Sequence, residues 1–319
     1  MIVTLTLNAG LDRTLTVPNF QPGHRHRASL GLTLAGGKGI NVARALKRLE
    51  VPVVATGLAG GRTGTRIVEE LTSEAILNDF VRIADESRTS TAVVDPTAAS
   101  YTEINEWGPH VEPDELAILL DKLAYLSRGA DLVVFSGSLP RGVADNFYAE
   151  AIRELHRRNV QTALDAEGEP LRLGVEAEPF LVSPNQREAE GLVGQEFRDD
   201  EDSMMALERI ADMGARNVLI TSENACFALF REKKRRVLYR ADAPVVEPVS
   251  AIGSGDVLLA AFLAARTTDR PFEEALRSAV AAGTASTQEI GAGRFDPRTA
   301  ARLQKDVRVA QLEPVATER

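Results

Sequence analysis

The chain is predicted to be an α/β protein: a mostly parallel sheet between two helical layers, with a small antiparallel β-lid. Three observations carry this. Strand-like and helix-like patterns alternate along most of the 319 residues, the order that builds parallel sheets with helical crossovers. Several apolar runs are continuous rather than alternating, as in strands buried on both faces. Two stretches break the pattern and read as short strands of a separate small sheet. One domain is expected over residues 1–319, with the lid formed by about 12–34 and 79–106.

Taken in order, Ile2–Leu7 alternates as a strand and Gly39–Leu49 carries Ile40, Ala43, Leu46 and Leu49 on one helical stripe. Thr14–Leu34 alternates but is broken by Pro18, Pro22 and Gly23, so it is assigned to the lid. Val51–Leu58 reads as a strand and Thr63–Ala75 as a helix. The lid resumes with Phe80–Ile83, Thr91–Val94 and Ser100–Ile104. Leu116, Leu119, Leu120, Leu123 and Leu126 mark an amphipathic helix. Asp131–Phe135 is a buried strand, followed by a helix over Ala144–Arg158 and strands at Gln161–Leu164 and Phe180–Val182. Helices at Gln186–Val193 and Glu201–Met213, a strand at Asn217–Ile220, and helices at Gly255–Ala265 and Phe272–Gln288 complete the series. Lys233–Arg236 is expected to be a solvated hairpin turn, and the last ten or so residues to be frayed.

Composition narrows the function. The sequence is 44% hydrophobic and 26% charged, ordinary for a globular protein. A net charge of −9 argues against wrapping nucleic acid. No apolar stretch approaches the roughly 20 residues of a membrane helix, and the first residues lack the basic and cleavage features of a signal peptide. Cys226 is the only cysteine, which suits a reducing, cytoplasmic setting. The four histidines have no zinc-ligand spacing.

Four motifs carry chemistry. Gly253-Ser254-Gly255-Asp256 opens an apolar helix, so its backbone N–H groups can cradle an anion while Asp256 accepts a proton from a hydroxyl. The same residues could simply cap a buried helix. Gly36-Gly37-Lys38-Gly39 also opens a helix, with Lys38 as a point charge and Asn41 one turn in; it fits neither the Walker A nor the dinucleotide spacing. Ser136–Gly142, including Ser138, follows a buried strand at the end where ligands of open sheets bind. Asn185 and Glu188 have capping-box spacing, and Glu188 could alternatively hold Mg²⁺-bound water. Asp12 and Arg88 are candidates for sugar hydroxyls and a phosphate.

Together these ordered motifs resemble the PfkB, ribokinase-like, carbohydrate kinase family over nearly the whole chain. Gly36–Arg44, Thr102–Glu106 and Asp165–Gly168 are most similar to its 1-phosphofructokinase branch. The resemblance implies a three-layer α/β/α body and ATP-dependent phosphorylation of a ketohexose phosphate, with fructose 1-phosphate first. Tagatose 6-phosphate and fructose 6-phosphate are alternatives, as is a non-catalytic sugar-phosphate regulator. It implies Asp256 as base and the N–H groups of Gly253, Ser254 and Gly255 as anion hole. Asp12, Gly36, Gly37, Lys38 and Asn41 would hold the sugar, and Arg88 with Ser138 and Lys38 its phosphate. Asn185, Thr221, Ser222, Glu223 and Gly283 would lie at the nucleotide, Glu188 would organise Mg²⁺ through water, and the lid would pair two subunits as a homodimer. The sequence departs from the family at Thr221–Phe227, where Glu223 and Cys226 stand in place of two glycines, and at Thr91 and Trp107.

Overall fold

A computed structural model describes residues 1–98, 100–233 and 235–313. Its main sheet has ten strands, and alternate residues of each strand feed two separate cores. In order the first part of the chain gives β1 (Ile2–Thr6), β2 (Gly10–Thr16), β3 (Leu30–Gly36), α1 (Lys38–Arg48), β4 (Val53–Gly60), α2 (Gly61–Ser73), β5 (Leu77–Ile83), β6 (Arg88–Asp95) and β7 (Ser100–Asn105). The middle gives α3 (Pro113–Leu126), β8 (Leu132–Ser136), α4 (Phe147–Arg157), β9 (Gln161–Asp165), α5 (Gly168–Val175), β10 (Leu181–Val182), α6 (Gln186–Val193) and α7 (Asp200–Met213). The last part gives β11 (Val218–Thr221), β12 (Ala225–Glu232), β13 (Arg235–Asp242), α8 (Ser254–Arg266), α9 (Phe272–Ser286), α10 (Pro297–Leu303) and β14 (Arg308–Leu312).

The large sheet runs β14-β13-β12-β11-β10-β9-β8-β1-β4-β5. From β5 to β11 every pairing is parallel; β12, β13 and β14 are added antiparallel. Leu132 and Val134 of β8 face one core while Val133 and Phe135 face the other, as a two-residue period requires. Helices α1, α2, α8, α9 and α10 cover the first face and α3 to α7 the second. This is the ribokinase-like three-layer arrangement expected. The helices α5 and α10 and the edge strand β14 were not foreseen, and of the β12–β13 hairpin only the turn was.

The small sheet runs β3-β2-β6-β7 and differs from expectation in two ways. Phe80–Ile83 lies in β5 of the large sheet, parallel to β4, rather than in the lid. Its exposed edge position gives it the alternating polarity of a lid strand. The small sheet is also not wholly antiparallel, because β2 and β6 pair in parallel. Both leave the carboxyl ends of parallel strands, β1 and β5, and so run outward together; β3 and β7 return antiparallel beside them.

Lys233 sits at positive φ in the turn between β12 and β13, while Lys234 lies outside the described residues. Arg236 is not free in solvent, since it bonds Glu208 (2.7 Å) and Asp212 (2.6 Å). Of the segment expected to fray, Ala310–Leu312 belongs to β14, and residues 314–319 lie outside the described ones.

On the first face Phe230 of β12 stacks on Phe272 (centroids 4.5 Å apart, planes at 12°) and on Phe262 (5.3 Å, 13°). Phe230 is fully buried and far along the strand from the parallel strand ends. Phe230→Ala should lower the unfolding free energy by about 3–5 kcal/mol, read as a reduced denaturation midpoint at unchanged slope.

Candidate active site

The carboxyl ends of β9, β10 and β11 converge with the amino ends of α1, α6 and α8, where a twisted parallel sheet leaves a crevice. A cavity of about 390 Å³ there is lined by Asp12, Gly37, Lys38, Asn41, Arg88, Asn185, Glu188, Thr221 and Gly253 to Asp256. Sequence positions 12 to 256 thus meet in one place.

Asp256 lies in the first turn of α8 and is buried. Burial raises its carboxyl, to about 8; Asp165 adds to the rise, and the Lys38 charge and the Asn41 hydrogen bond oppose it. The Asn41 amide donates to Asp256 Oδ2 at 2.8 Å. Asn41 is itself held by Arg44, whose guanidinium donates to Asn41 Oδ1 (3.3 Å), the Ala35 carbonyl (2.8 Å), the Ala292 carbonyl (3.1 Å) and Glu74. The sequence reading missed this brace. Its signal was an arginine on the apolar stripe side of α1.

The turn before Asp256 depends on Gly253, at φ 78°, where a Cβ would strike Ala292. One part of the expected anion hole changes. The Ser254 N–H donates to the Ala251 carbonyl at 3.2 Å, leaving the N–H groups of Gly253, Gly255 and Asp256 without a partner in the first turn of α8. Their direction and the helix dipole favour an anion beside Asp256.

Lys38 is not an open cationic arm. Its ammonium bonds Asp165 Oδ1 (2.7 Å) and Glu188 Oε1 (3.0 Å). Burial opposes its charge, but Asp165, Glu188 and Asp256 outweigh that and hold it well above the usual lysine range. Asp165 was given no role from sequence, although its place at the end of β9 marks it by the strand-end rule. Asn185 and Glu188 form the capping box: the Glu188 N–H donates to Asn185 Oδ1 (2.9 Å) and the Asn185 N–H to Glu188 Oε2 (2.8 Å). Each Glu188 oxygen therefore has one protein partner and a lone pair left for a water. Burial raises the Glu188 carboxyl, against the pull of Lys38.

Two further cavities adjoin. One, of about 790 Å³, shares Gly37, Lys38, Arg88, Glu103 and Asn105 with the first and adds Asn8, Ser138 and Trp107. The other, of about 350 Å³, shares Thr221, Ala251, Ser254 and Gly255 and adds Ser222, Glu223, Cys226, Leu258 and Gly283. Asp12, raised by burial against the pull of Arg88, faces the first from β2. The backbone of Gly36 packs on the Asp12 carboxylate, where a Cβ would overlap it. Trp107 is 87% exposed at the rim, and Cys226 is buried, its thiol pushed up to about 12 by burial.

The pattern of the pfkB family carbohydrate kinase matches residues 7–299. The chain belongs to this family. A Bacillus subtilis 1-phosphofructokinase is 31% identical over 98% of this chain and 100% of its own. A 1-phosphofructokinase of Borreliella burgdorferi is 34% identical over 90% and 91%. A Thermotoga maritima structure described as a possible 1-phosphofructokinase superposes with a TM-score of 0.89 at 26% identity, covering 98% of this chain and 100% of that one. The chain is thus a sugar kinase, an enzyme that transfers a phosphoryl group to an alcohol group. Among the described residues, no helix of the PfkB kinase is long and apolar enough to cross a membrane.

The buried carboxyl gives a stability test. Asp256 is raised from 3.8 to about 8, so the fold favours its neutral form and binds a proton that the unfolded chain releases. Its contribution to stability is therefore lost as pH rises from about 4 to about 8. Asp256→Asn should match wild type in Tm near pH 4 and exceed it by several degrees at pH 8, measured by thermal denaturation.

Proposed function

We propose that this PfkB kinase transfers the γ-phosphoryl group of ATP to the free primary hydroxyl of a ketohexose phosphate, with fructose 1-phosphate as the first choice. The observation that carries the reading is a pair of adjoining cavities, with the buried Asp256 lining one and the Arg88 guanidinium on the wall they share. Asp256 stands at the amino end of α8, and the Arg88 and Lys38 chamber opens beside it. A sugar phosphate has this polarity: a neutral reacting hydroxyl and a dianion several bonds away. The names of the two bacterial relatives support the choice of acceptor.

In its ionised form, which gains as pH rises toward 8, Asp256 accepts the hydroxyl proton as the oxygen–phosphorus bond forms, and the bond from the γ-phosphorus to the bridging oxygen breaks toward ADP. The free N–H groups of Gly253 and Gly255 take charge growing on the transferring phosphoryl. Asp12 and Asn41 orient the sugar, and Arg88 with Ser138 holds its phosphate. The cavity of Ser222, Leu258 and Gly283 suits the nucleotide, since it meets the acceptor cavity at Ser254 and Gly255. Mg²⁺, when bound with the nucleotide, would neutralise phosphate charge, with Glu188 and Asn185 holding its waters. The small sheet carries Leu30, Tyr101 and Ile104 exposed, which supports pairing of two subunits through it.

With MgATP and fructose 1-phosphate, the purified protein should yield ADP and fructose 1,6-bisphosphate in a coupled assay. Its kcat/KM should exceed that for fructose 6-phosphate or tagatose 6-phosphate. Asp256→Asn should lose about 10²–10⁴-fold in kcat; retention of most activity would remove the base assignment. Glu223 brings a carboxylate to the nucleotide cavity. Glu223→Gly should lower KM for ATP severalfold without raising KM for the sugar phosphate, measured by initial rates.

A further inference from the structure

The Arg88 and Ser138 side chains come from different sheets, yet both are fastened to one residue that the proposed reaction leaves unused. Arg88 opens β6 of the small sheet and Ser138 follows β8 of the large one. Asn8 lies just after β1. Its backbone carbonyl accepts from Arg88 Nε at 3.2 Å, and its side-chain amide donates to Ser138 Oγ at 3.1 Å. Ser90 takes another Arg88 donor, which leaves part of the guanidinium fork facing the chamber.

Two further observations point the same way. Asn8 Oδ1 is buried without a partner, as are the hydroxyls of Thr6 and Ser136, and all three residues line the 790 Å³ chamber. Buried polar atoms of this kind are uncommon, and the two hydroxyls can turn to donate to an anion in the chamber, whereas the Oδ1 acceptor, covered by Gly108, cannot. The backbone of Gly108 packs directly on the Asn8 amide, and a Cβ there would overlap it. Gly108 in turn accepts from Arg141 Nε at 3.0 Å through its carbonyl. The amide is clamped between that loop and Ser138, so its place is set by packing on both sides.

We propose that Asn8 is a positioning residue for the acceptor's phosphate, fixing the separation of Arg88 and Ser138 across the junction of the two sheets. The proposal rests on the phosphate chamber assigned above. Asn8 does not touch the reacting hydroxyl or the γ-phosphorus. It acts by holding one donor from each sheet in the spacing that a phosphate dianion bridges.

The test titrates inorganic phosphate into wild type, Asn8→Ala and Asn8→Asp by calorimetry, with Tm measured alongside and fructose 1-phosphate kinetics after. Asn8→Ala should weaken phosphate binding about tenfold, the loss of one well-placed hydrogen bond. It should raise KM for fructose 1-phosphate by a similar factor while kcat and KM for ATP stay within about threefold. Asn8→Asp keeps the size of the side chain but adds a negative charge beside the chamber. It should bind phosphate more weakly than Asn8→Ala while unfolding at the higher temperature of the two. A purely structural role predicts the reverse order, with affinity following Tm, and that result overturns the proposal. So does an Asn8→Ala phosphate affinity within about twofold of wild type. Gly108→Ala, which pushes on the amide from the loop side, should show the Asn8→Ala effect in weaker form. Absence of wild-type turnover with sugar phosphates would defeat the proposed function, and the phosphate titration would still decide the role of Asn8.

Discussion

One ammonium group organises this molecule. Lys38 stands at the first position of α1 and is faced by the carboxylates of Asp165, Glu188 and Asp256. Those three come from the end of β9, the start of α6 and the start of α8. A carboxylate would be costly to bury there as a lone charge, and the one cation lowers that cost for each of the three. The end of one strand and the starts of two helices are thereby drawn to a single point. Removing that charge would leave three neighbouring carboxylates in a half-buried crevice, which is why the helix start and the strand ends behave as one unit.

Much of the fold was legible because burial writes itself into the sequence twice. Strands covered on both faces, such as Leu132–Ser136, read as unbroken apolar runs, and the helices between them carry one apolar stripe each. The reading failed where burial is one-sided. The edge strand β5 has the polarity of a lid strand, and only its partner, β4, decides which sheet it joins. The edge strand β14 and the short α5 and α10 give too few periods to register. The parallel pairing of β2 with β6 follows from the direction in which β1 and β5 point, a tertiary fact no local window contains.

The candidate site divides the same way. Glycine turns at helix starts are visible in sequence, because few residues tolerate φ 78° as at Gly253. The brace from Arg44 through Asn41 to Asp256 was not, because it spans 215 residues between its last two members. Asp165 went without a role because an acidic residue after a strand is common, and only its 2.7 Å approach to Lys38 distinguishes it. The Ser254 N–H, expected to face a ligand, turns back to Ala251, a choice made by a local turn that residue type does not dictate.

The small sheet has one more consequence. Asp12 and Arg88 ride on it, whereas Asp256 and the Ser222 to Gly283 cavity belong to the large body. A molecule reaching from Asp256 to Arg88 therefore acts as a strut between two bodies joined by short chain segments. A lone water in its place spans nothing and fastens nothing. The span that an occupant must have is thus set by where the two sheets place their side chains.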